Sequence, residues 1–238
     1  MNTLVTICAR GGSKGIPGKN VRLLNGKHLI SYSIQTAQDF AKKHDAKLSL
    51  STDSEEIKET AALYGLHTAY QRPEEHATDK AGKIATIHDL LLYEEQLLGS
   101  EYDYILDLDV TSPLRTVEDL ENAFKMILEK EEALNIFSVS PPNRNPYFNM
   151  IEPTENGYCK LVKEGLIIKS RQTAPVVYDM NASFYFYRRE FFHQGWQTAL
   201  TPKSMYYVVP HICFDLDHPS DFTVMEVLLK ENLLDFML

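Results

Sequence analysis

The sequence predicts an α/β fold: a three-layer sandwich around a mostly parallel sheet, with a small β-rich arm. Apolar runs of strand length alternate with amphipathic segments of helix length through the first 140 residues, which is the signature of β-α-β units. A glycine-rich, cationic loop follows the first of those runs. Near Pro141 the alternation stops, and turn residues, aromatics and short β-prone pieces take over as far as Asp179.

Leu4, Val5, Ile7 and Cys8 read as a buried first strand, and Leu29 to Ala41 as the helix after it. Leu48 to Ser51 is a short second strand. Ser54 is placed to cap a helix running to Tyr64, with Glu55 and Glu56 in its first turn, where acids complement the helix dipole. Thr68 to Tyr70 is expected as a further edge strand, Ile84 to Leu98 as a helix and Tyr104 to Leu108 as a buried strand. Thr116 starts the next helix, whose Val117, Leu120, Phe124, Ile127 and Leu128 fall on one face. Ile136 to Val139 follows as a fifth strand. The segment 141–179 is expected as an excursion within a single 1–238 domain, with β-prone pieces at Phe148 to Ile151 and Leu166 to Ile168. Ala182 to Tyr187 and Tyr206 to Val209 return to the sheet. Pro219 suits the first turn of a final helix, where its missing N–H costs nothing.

At 238 residues the chain is long enough for one sizeable core, and 44% hydrophobic with 24% charged residues is ordinary for a globular protein. A net charge of −9 argues against a general nucleic-acid binder, while leaving room for a nucleotide held by local cations. Cys8, Cys159 and Cys213 form no CxxC pair, a pattern that suits reduced thiols in a cytoplasm. Residues 1–8 lack the basic start and apolar stretch of a signal peptide, and no apolar run is long enough to span a bilayer. The expectation is a soluble cytoplasmic protein.

The chemistry gathers where the predicted strands end, which is where open α/β sheets bind ligands. Ala9 to Asn20 reads ARGGSKGIPGKN: four glycines let backbone amides approach a ligand, and Arg10, Lys14 and Lys19 concentrate positive charge. This is neither a Walker loop, since no GK[ST] closes it, nor GxGxxG. It reads as a phosphate-holding turn; the alternative is a flexible surface turn with ordinary lysines. Asp53 follows the second strand, Asp107 and Asp109 lie at the end of the strand through Ile105, and TSPLR (Thr111 to Arg115) continues that loop. Asp215 and Asp217 are two apart, so in an extended segment their carboxylates face the same way and suit Mg²⁺ or Mn²⁺. The alternative for that pair is turn and capping acids before the Pro219 helix. His76, His88 and His211 are expected at the surface or in packing rather than at a metal. Phe184 to Tyr187 are expected in core and interface.

Read in order, ARGGSKGIPGKN, RPEEHATDKA (Arg72 to Ala81), TSPLR, Arg171-Gln172, NASFYFY (Asn181 to Tyr187) and DLD (Asp215 to Asp217) resemble the acylneuraminate cytidylyltransferases, or CMP-sialic acid synthetases. The resemblance runs through nearly the whole chain. It implies a Rossmann-like nucleotidyltransferase sheet with a dimerisation arm, and coupling of CTP to the anomeric hydroxyl of a nine-carbon sugar acid with release of pyrophosphate. It further implies that Arg10 and Lys19 contact the triphosphate and stabilise charge at the attacked phosphate, and that Ser13 lines the same loop. Asn20 and Arg72 would read cytosine and ribose, with backbone contacts from Ala81. Asp215 and Asp217 would hold magnesium, one of them helping to deprotonate the sugar hydroxyl. Asn181 and Tyr185 would line the sugar pocket. Arg171 would pair with the sugar carboxylate or with phosphate, reaching over from the partner subunit of a homodimer.

Three departures all fall on the sugar side. Asp109 stands where sialic acid enzymes commonly carry a sugar-touching glutamine. Asp179 replaces an arginine ahead of an Asn-Gly pair that here is Asn181-Ala182. Phe148, within RNPYFNMIE, replaces a lysine of the arm. CTP therefore stands as the expected nucleotide, while the sugar is open, and the RNPYFN and YxxNAS wording is similar to enzymes for legionaminic and related bacterial nonulosonic acids. Competing readings are a cytidylyltransferase for the eight-carbon acid Kdo or another sugar nucleotidyltransferase, a DxD glycosyltransferase, and a nucleotide-binding regulator without catalysis. The last would be marked by loss of Lys19 or DLD, and both are present.

Overall fold

The computed structural model describes every residue except Ser13, Lys14, Asp79 and Leu166. In chain order the elements are β1 (Thr3–Cys8), β2 (Leu23–Leu24), β3 (Lys27–His28), α1 (Leu29–His44), β4 (Lys47–Ser51), α2 (Glu55–Leu63), α3 (Lys83–Leu98), β5 (Tyr104–Leu108), α4 (Val117–Glu129), β6 (Asn135–Ser140), β7 (Ile151–Pro153), β8 (Cys159–Leu161), β9 (Asp179–Arg188), α5 (Arg189–His193), β10 (Ser204–Val208) and α6 (Pro219–Lys230). The main sheet has the order β10-β6-β9-β5-β1-β4. β1 pairs in parallel with β4 and β5, and β10 in parallel with β6. β9 runs antiparallel between β5 and β6, so the sheet is mostly parallel with one reversed strand.

Period-2 alternation sends successive side chains of each strand into opposite layers. Val5, Ile7, Leu106, Leu108, Phe184 and Phe186 pack with α1, α2, α4 and α6 on one face. Leu4, Ile105 and Tyr187 pack with Ile84, Ile87 and Leu91 of α3 and Phe191 and Phe192 of α5 on the other. Both faces of the sheet are thus covered, which explains why the strands read as almost continuous apolar runs.

The helix boundaries follow local chemistry. Ser54 Oγ accepts from Ile57 N at 3.4 Å, capping α2 as its sequence predicts. Thr116 and Asp119 close a reciprocal capping box on α4. Pro219 occupies the first turn of α6. Leu128, expected on the buried face of α4, is 40% exposed at the helix end. The expected edge strand at Thr68 to Tyr70 does not form. Thr68 donates its hydroxyl to the Leu50 carbonyl at 3.0 Å and accepts from Tyr70 N at 3.1 Å, a local side-chain arrangement that competes with a backbone ladder.

Between β6 and β9 the chain leaves the sheet, as its change of pattern predicts. The hairpin β7–β8 keeps only Ile151 of the first expected piece, and its second strand, Cys159–Leu161, lies before the second. Residues 145–149 turn tightly instead, with Asn145 Oδ1 accepting from Tyr147 N at 2.9 Å and Asn149 Oδ1 from Asn145 N at 2.7 Å. Leu166, in the second expected piece, lies outside the described residues. Among the described residues no helix is long and apolar enough to cross a membrane.

Candidate active site

The loop after β1 wraps against two other segments. Gly11 N donates to Asp53 Oδ1 at 2.9 Å, and Asn20 Nδ2 donates to the Arg10 carbonyl at 3.0 Å, so the loop is braced from within and from the end of β4. A Cβ at Gly15 would lie 3.0 Å from the Asp217 carbonyl, and Gly18 adopts φ +63°; both positions favour glycine. Lys19 Nζ donates to the Leu216 carbonyl at 2.8 Å and lies 3.6 Å from Asp217 Oδ1. The cationic loop and the DLD segment therefore meet. Ser13 and Lys14 lie outside the described residues.

Beyond the carboxyl ends of β1, β4 and β5 opens a cavity of about 270 Å³, lined by Arg10, Lys19, Asn20, Arg72, Ala81, Lys83 and Asp109, among others. Six of these are residues or neighbours that the sequence singles out, drawn together from positions 10 to 109 by the parallel strand ends. Arg72 is buried and fixed: its Nε donates to Ser51 Oγ at 2.9 Å and its Nη2 to the Ser51 carbonyl at 2.7 Å. Cys8 also lines the cavity. Burial, then the charge of Asp107, pushes its thiol well up, which keeps it from acting as a nucleophile.

The β5 side of the cavity is acidic. Asp107 is fully buried and accepts from Thr6 Oγ1 at 2.9 Å. Lys83, the first residue of α3, places Nζ 2.9 Å from Asp107 Oδ2 and 2.6 Å from Asp109 Oδ2. Burial works against its ammonium charge, but Asp107 and then Asp109 outweigh burial and hold its pKa well above the ordinary lysine value. For Asp109 burial likewise opposes ionisation, and the Lys83 charge with hydrogen bonds from Lys83 and Thr111 overcomes it, bringing the carboxyl down to about 2. Arg115, the last residue of TSPLR, is buried beneath: it donates to the carbonyls of Ser112, Ser183 and Asp109 at 2.6, 2.8 and 2.8 Å and to the Ser33 hydroxyl. It ties β5, β9 and α1 together under Asp109.

Asp215 and Asp217 sit in a loop outside any strand, and their environments differ. Asp217 is about two-thirds exposed beside Lys19. Asp215 is half-buried, and its Oδ1 is a buried acceptor without a hydrogen-bond partner. Burial, and then the nearby charge of Asp109, raises its carboxyl to about 6. Among the described residues no group of three His, Cys, Asp or Glu side chains is placed to hold a metal ion. The donor chemistry still fits a hard divalent cation: an orphaned carboxylate oxygen in an excess of negative charge, with Asp217 close by. Mg²⁺ usually takes one or two carboxylates and completes its shell with phosphate oxygens and water.

The remaining predicted residues lie elsewhere. Asn181 is buried at a bulge in β9, where its Oδ1 accepts from Ser138 Oγ at 2.5 Å and its Nδ2 donates to Ser140 Oγ at 2.8 Å. Its amide thus braces the strand, and it is not among the residues lining the cavity. Tyr185, opposite Asp107 across the β5–β9 pair, presents its ring 5.3 Å from Lys83 Nζ. Arg171 is exposed in the arm, donating to the Asn143 carbonyl at 3.1 Å. His88 stacks on Phe192 and His211 on Phe236, both in packing as expected, while His76 lines the cavity. Lys83 is the charged cavity residue that sequence reasoning missed. Its one local signal is a lysine at the start of a helix without an acid in its first turn, against the sense of the helix dipole.

The family described as Cytidylyltransferase matches residues 4–229 of this chain. A Campylobacter coli protein named post-translational flagellin modification protein B is 37% identical over 236 residues, 96% of this chain and 95% of that protein. The CMP-N,N'-diacetyllegionaminic acid synthase of Campylobacter jejuni is 36% identical over 227 residues, 95% of this chain and 94% of its own length. Among solved structures, a CMP:2-keto-3-deoxy-manno-octonic acid synthetase complexed with CTP superposes with a TM-score of 0.69, covering 98% of this chain and all of that one. At 15% identity it attests the fold alone.

Proposed function

Because this chain belongs to the cytidylyltransferase family, we propose that it couples CTP to the anomeric hydroxyl of a nonulosonic acid, giving the CMP-sugar and pyrophosphate. The observation that carries this reading is the meeting of the glycine loop and the DLD segment at Lys19, at the edge of a cavity with cations on one side and carboxylates on the other. An N,N'-diacetyllegionaminic acid-type sugar is the preferred substrate, in keeping with the named activity of the Campylobacter jejuni relative.

In this reading the triphosphate lies against the loop amides, Arg10 and Lys19, and the pyrimidine and ribose lie toward Asn20, Arg72 and Ala81. The sugar acid enters from the β5–β9 side, past Asp109 and Tyr185, with Asn181 bracing the strand behind them. Its anomeric oxygen bonds to the α-phosphorus, the bond from that phosphorus to the α,β-bridging oxygen breaks, and pyrophosphate leaves. The hydroxyl proton passes to a carboxylate oxygen of Asp215. Transfer of this kind rests on positioning and charge neutralisation more than on covalent chemistry. Mg²⁺ (or Mn²⁺), held by Asp215 and Asp217, would supply neutralisation of the phosphate charge. Arg10 and Lys19 stabilise charge as it develops on the phosphate.

The working unit is proposed to be a homodimer. Met150, Ile151, Ile167 and Val176 in the arm are 41, 62, 92 and 79% exposed, large apolar side chains that a partner surface would take out of water. A two-fold interface through the arm would bury it and bring Arg171 to the partner's cavity, against the sugar carboxylate or a phosphate.

Incubating the protein with CTP, Mg²⁺ and a panel of N,N'-diacetyllegionaminic, pseudaminic, N-acetylneuraminic and Kdo acids, and measuring pyrophosphate, tests the reading. Release is expected with a nine-carbon acid and with CTP over UTP. Release with Kdo alone, or equal rates with UTP, would replace it with a different nucleotidyltransferase.

A further inference from the structure

The cavity is electrically divided by the order of the strands. Arg10 and Lys19 follow β1 and Arg72 lies beside the end of β4, whereas Asp107 and Tyr185 belong to β5 and β9 and Asp109 directly follows β5, on the other side of β1. A polyphosphate belongs with the cations. The second substrate must then lie on the Asp109 side, where the carboxylates of Asp109 and, behind it, Asp107 and Asp215 outnumber the Lys83 ammonium and the Arg115 guanidinium buried beneath. Such a surface repels the carboxylate of a sugar acid and favours its neutral hydrogen-bond donors.

We propose that Lys83 is a positioning residue for the sugar acid: by bridging Asp107 and Asp109 it holds Asp109 as a fixed, acceptor-only carboxylate that takes a hydrogen bond from a sugar hydroxyl or amide N–H. Asp109 is fixed on every side. Its Oδ2 meets Lys83 at 2.6 Å, its Oδ1 accepts from Thr111 N and Thr111 Oγ1 at 2.8 Å each, and its carbonyl accepts from Ser33 Oγ at 2.9 Å and Arg115 Nη2 at 2.8 Å. A carboxylate oxygen has two lone-pair directions, so Oδ2 keeps one for a ligand after Lys83 takes the other. An ionised carboxylate cannot donate, so the partner it selects is a hydrogen-bond donor.

Lys83 itself stands where helix electrostatics disfavour it. It opens α3, the positive end of the helix dipole, after a Gly82 N-cap that supplies no side chain. Its 5.3 Å approach to the Tyr185 ring and the two carboxylates are what offset that position. Lys83 and Asp109 both line the cavity, and a residue held there against its local preference is placed for what the cavity does.

This inference rests on the sugar acid being the second substrate, and the test separates the two. The parent, Lys83→Met, Lys83→Arg, Asp109→Asn and the double variant Lys83→Met/Asp109→Asn are assayed for kcat and for KM of each substrate, with thermal melts alongside. Lys83→Met is expected to raise the KM for the sugar acid roughly 10- to 100-fold, the scale of one hydrogen bond to a charged group, with the KM for CTP within about twofold. Lys83→Arg should recover part of that loss. The double variant should be no worse than Lys83→Met, because Lys83 acts through Asp109. A parent inactive with every sugar acid overturns the functional reading, and this inference with it. An active parent overturns the inference alone if Lys83→Met leaves sugar KM unchanged, raises both KM values equally, or adds fully to Asp109→Asn. Should Lys83→Met fail to fold, Lys83→Arg against Asp109→Asn decides by the same split in KM.

Discussion

Lys19 ties the glycine loop to the acidic segment near the other end of the chain, its Nζ donating to the Leu216 carbonyl at 2.8 Å. The bond spans almost the whole sequence, and it holds a half-buried ammonium at the cavity that Arg10 also lines, beside the DLD segment. An ammonium anchored on a carbonyl is already oriented before substrate arrives, so it needs no rearrangement as charge develops on a phosphate.

Replacing Lys19 with Ala should therefore reduce kcat far more than it raises the KM for CTP, by a factor on the order of 10²–10³. Steady-state kinetics with both substrates varied measures this. Near-normal turnover would remove the loop from catalysis.

Asp215 and Asp217 should respond differently to loss of charge. Asp215 has its carboxyl raised to about 6 by burial and by Asp109, so its ionised form is disfavoured in the folded chain. A pKa raised on folding means that stability grows as pH falls from that value toward the unfolded one near 4, and that the charge costs stability above it. Asp215→Asn is thus expected to raise the melting temperature of the metal-free protein at pH 7.5, by roughly 2–4 °C for each kcal/mol relieved. It should also abolish the further rise that Mg²⁺ and CTP produce. Asp217→Asn, at an exposed site, should leave the metal-free melting temperature unchanged and weaken only the Mg²⁺ response. Calorimetry with and without EDTA reads both. If both variants respond to Mg²⁺ as the parent does, the cation is held elsewhere.

Ala182 occupies a left-handed conformation, φ +56°, at the bulge where the register of β6 and β9 shifts. A Cβ there clashes with the backbone in a way glycine avoids. Ala182→Gly should stabilise the protein by about 1 kcal/mol, measured by urea denaturation. No gain would mean that the neighbouring contacts of Asn181 and Ser183 already relax the strain. Activity should change little, since the bulge geometry is kept.

Mixing subunits tests where Arg171 works. A heterodimer of Arg171→Ala and Lys19→Ala chains, isolated with two affinity tags, should regain one intact site if Arg171 acts across the two-fold axis. Complete inactivity of the heterodimer would place Arg171 in its own subunit's chemistry.

Much of this protein was determined by local sequence. The alternation of apolar runs and amphipathic segments specified the layers, because strands buried on both faces and helices buried on one have distinct periodicities. Ser54, Thr116 and Pro219 set helix starts through short-range hydrogen bonds and ring geometry that need no distant partner. The glycine loop, Asp109 and DLD stood out because chemistry at strand ends is written in contiguous motifs, whereas Arg72 was singled out through the family resemblance. The tertiary structure alone decided the rest. Thr68 to Tyr70 lost its strand to the bonds of the Thr68 hydroxyl with Leu50 of β4 and with Tyr70, and the arm formed its hairpin mostly outside its β-prone pieces, since pairing depends on what lies alongside. The Asp215–Asp217 pair divided into a half-buried acid and an exposed partner of Lys19. Lys83 became visible only there, because the two carboxylates that hold it at 2.9 and 2.6 Å come from β5 and the residue just past its end, about two dozen residues later in the chain. Ion pairs across such separations depend on the burial and proximity that folding creates, and single-sequence patterns do not encode them.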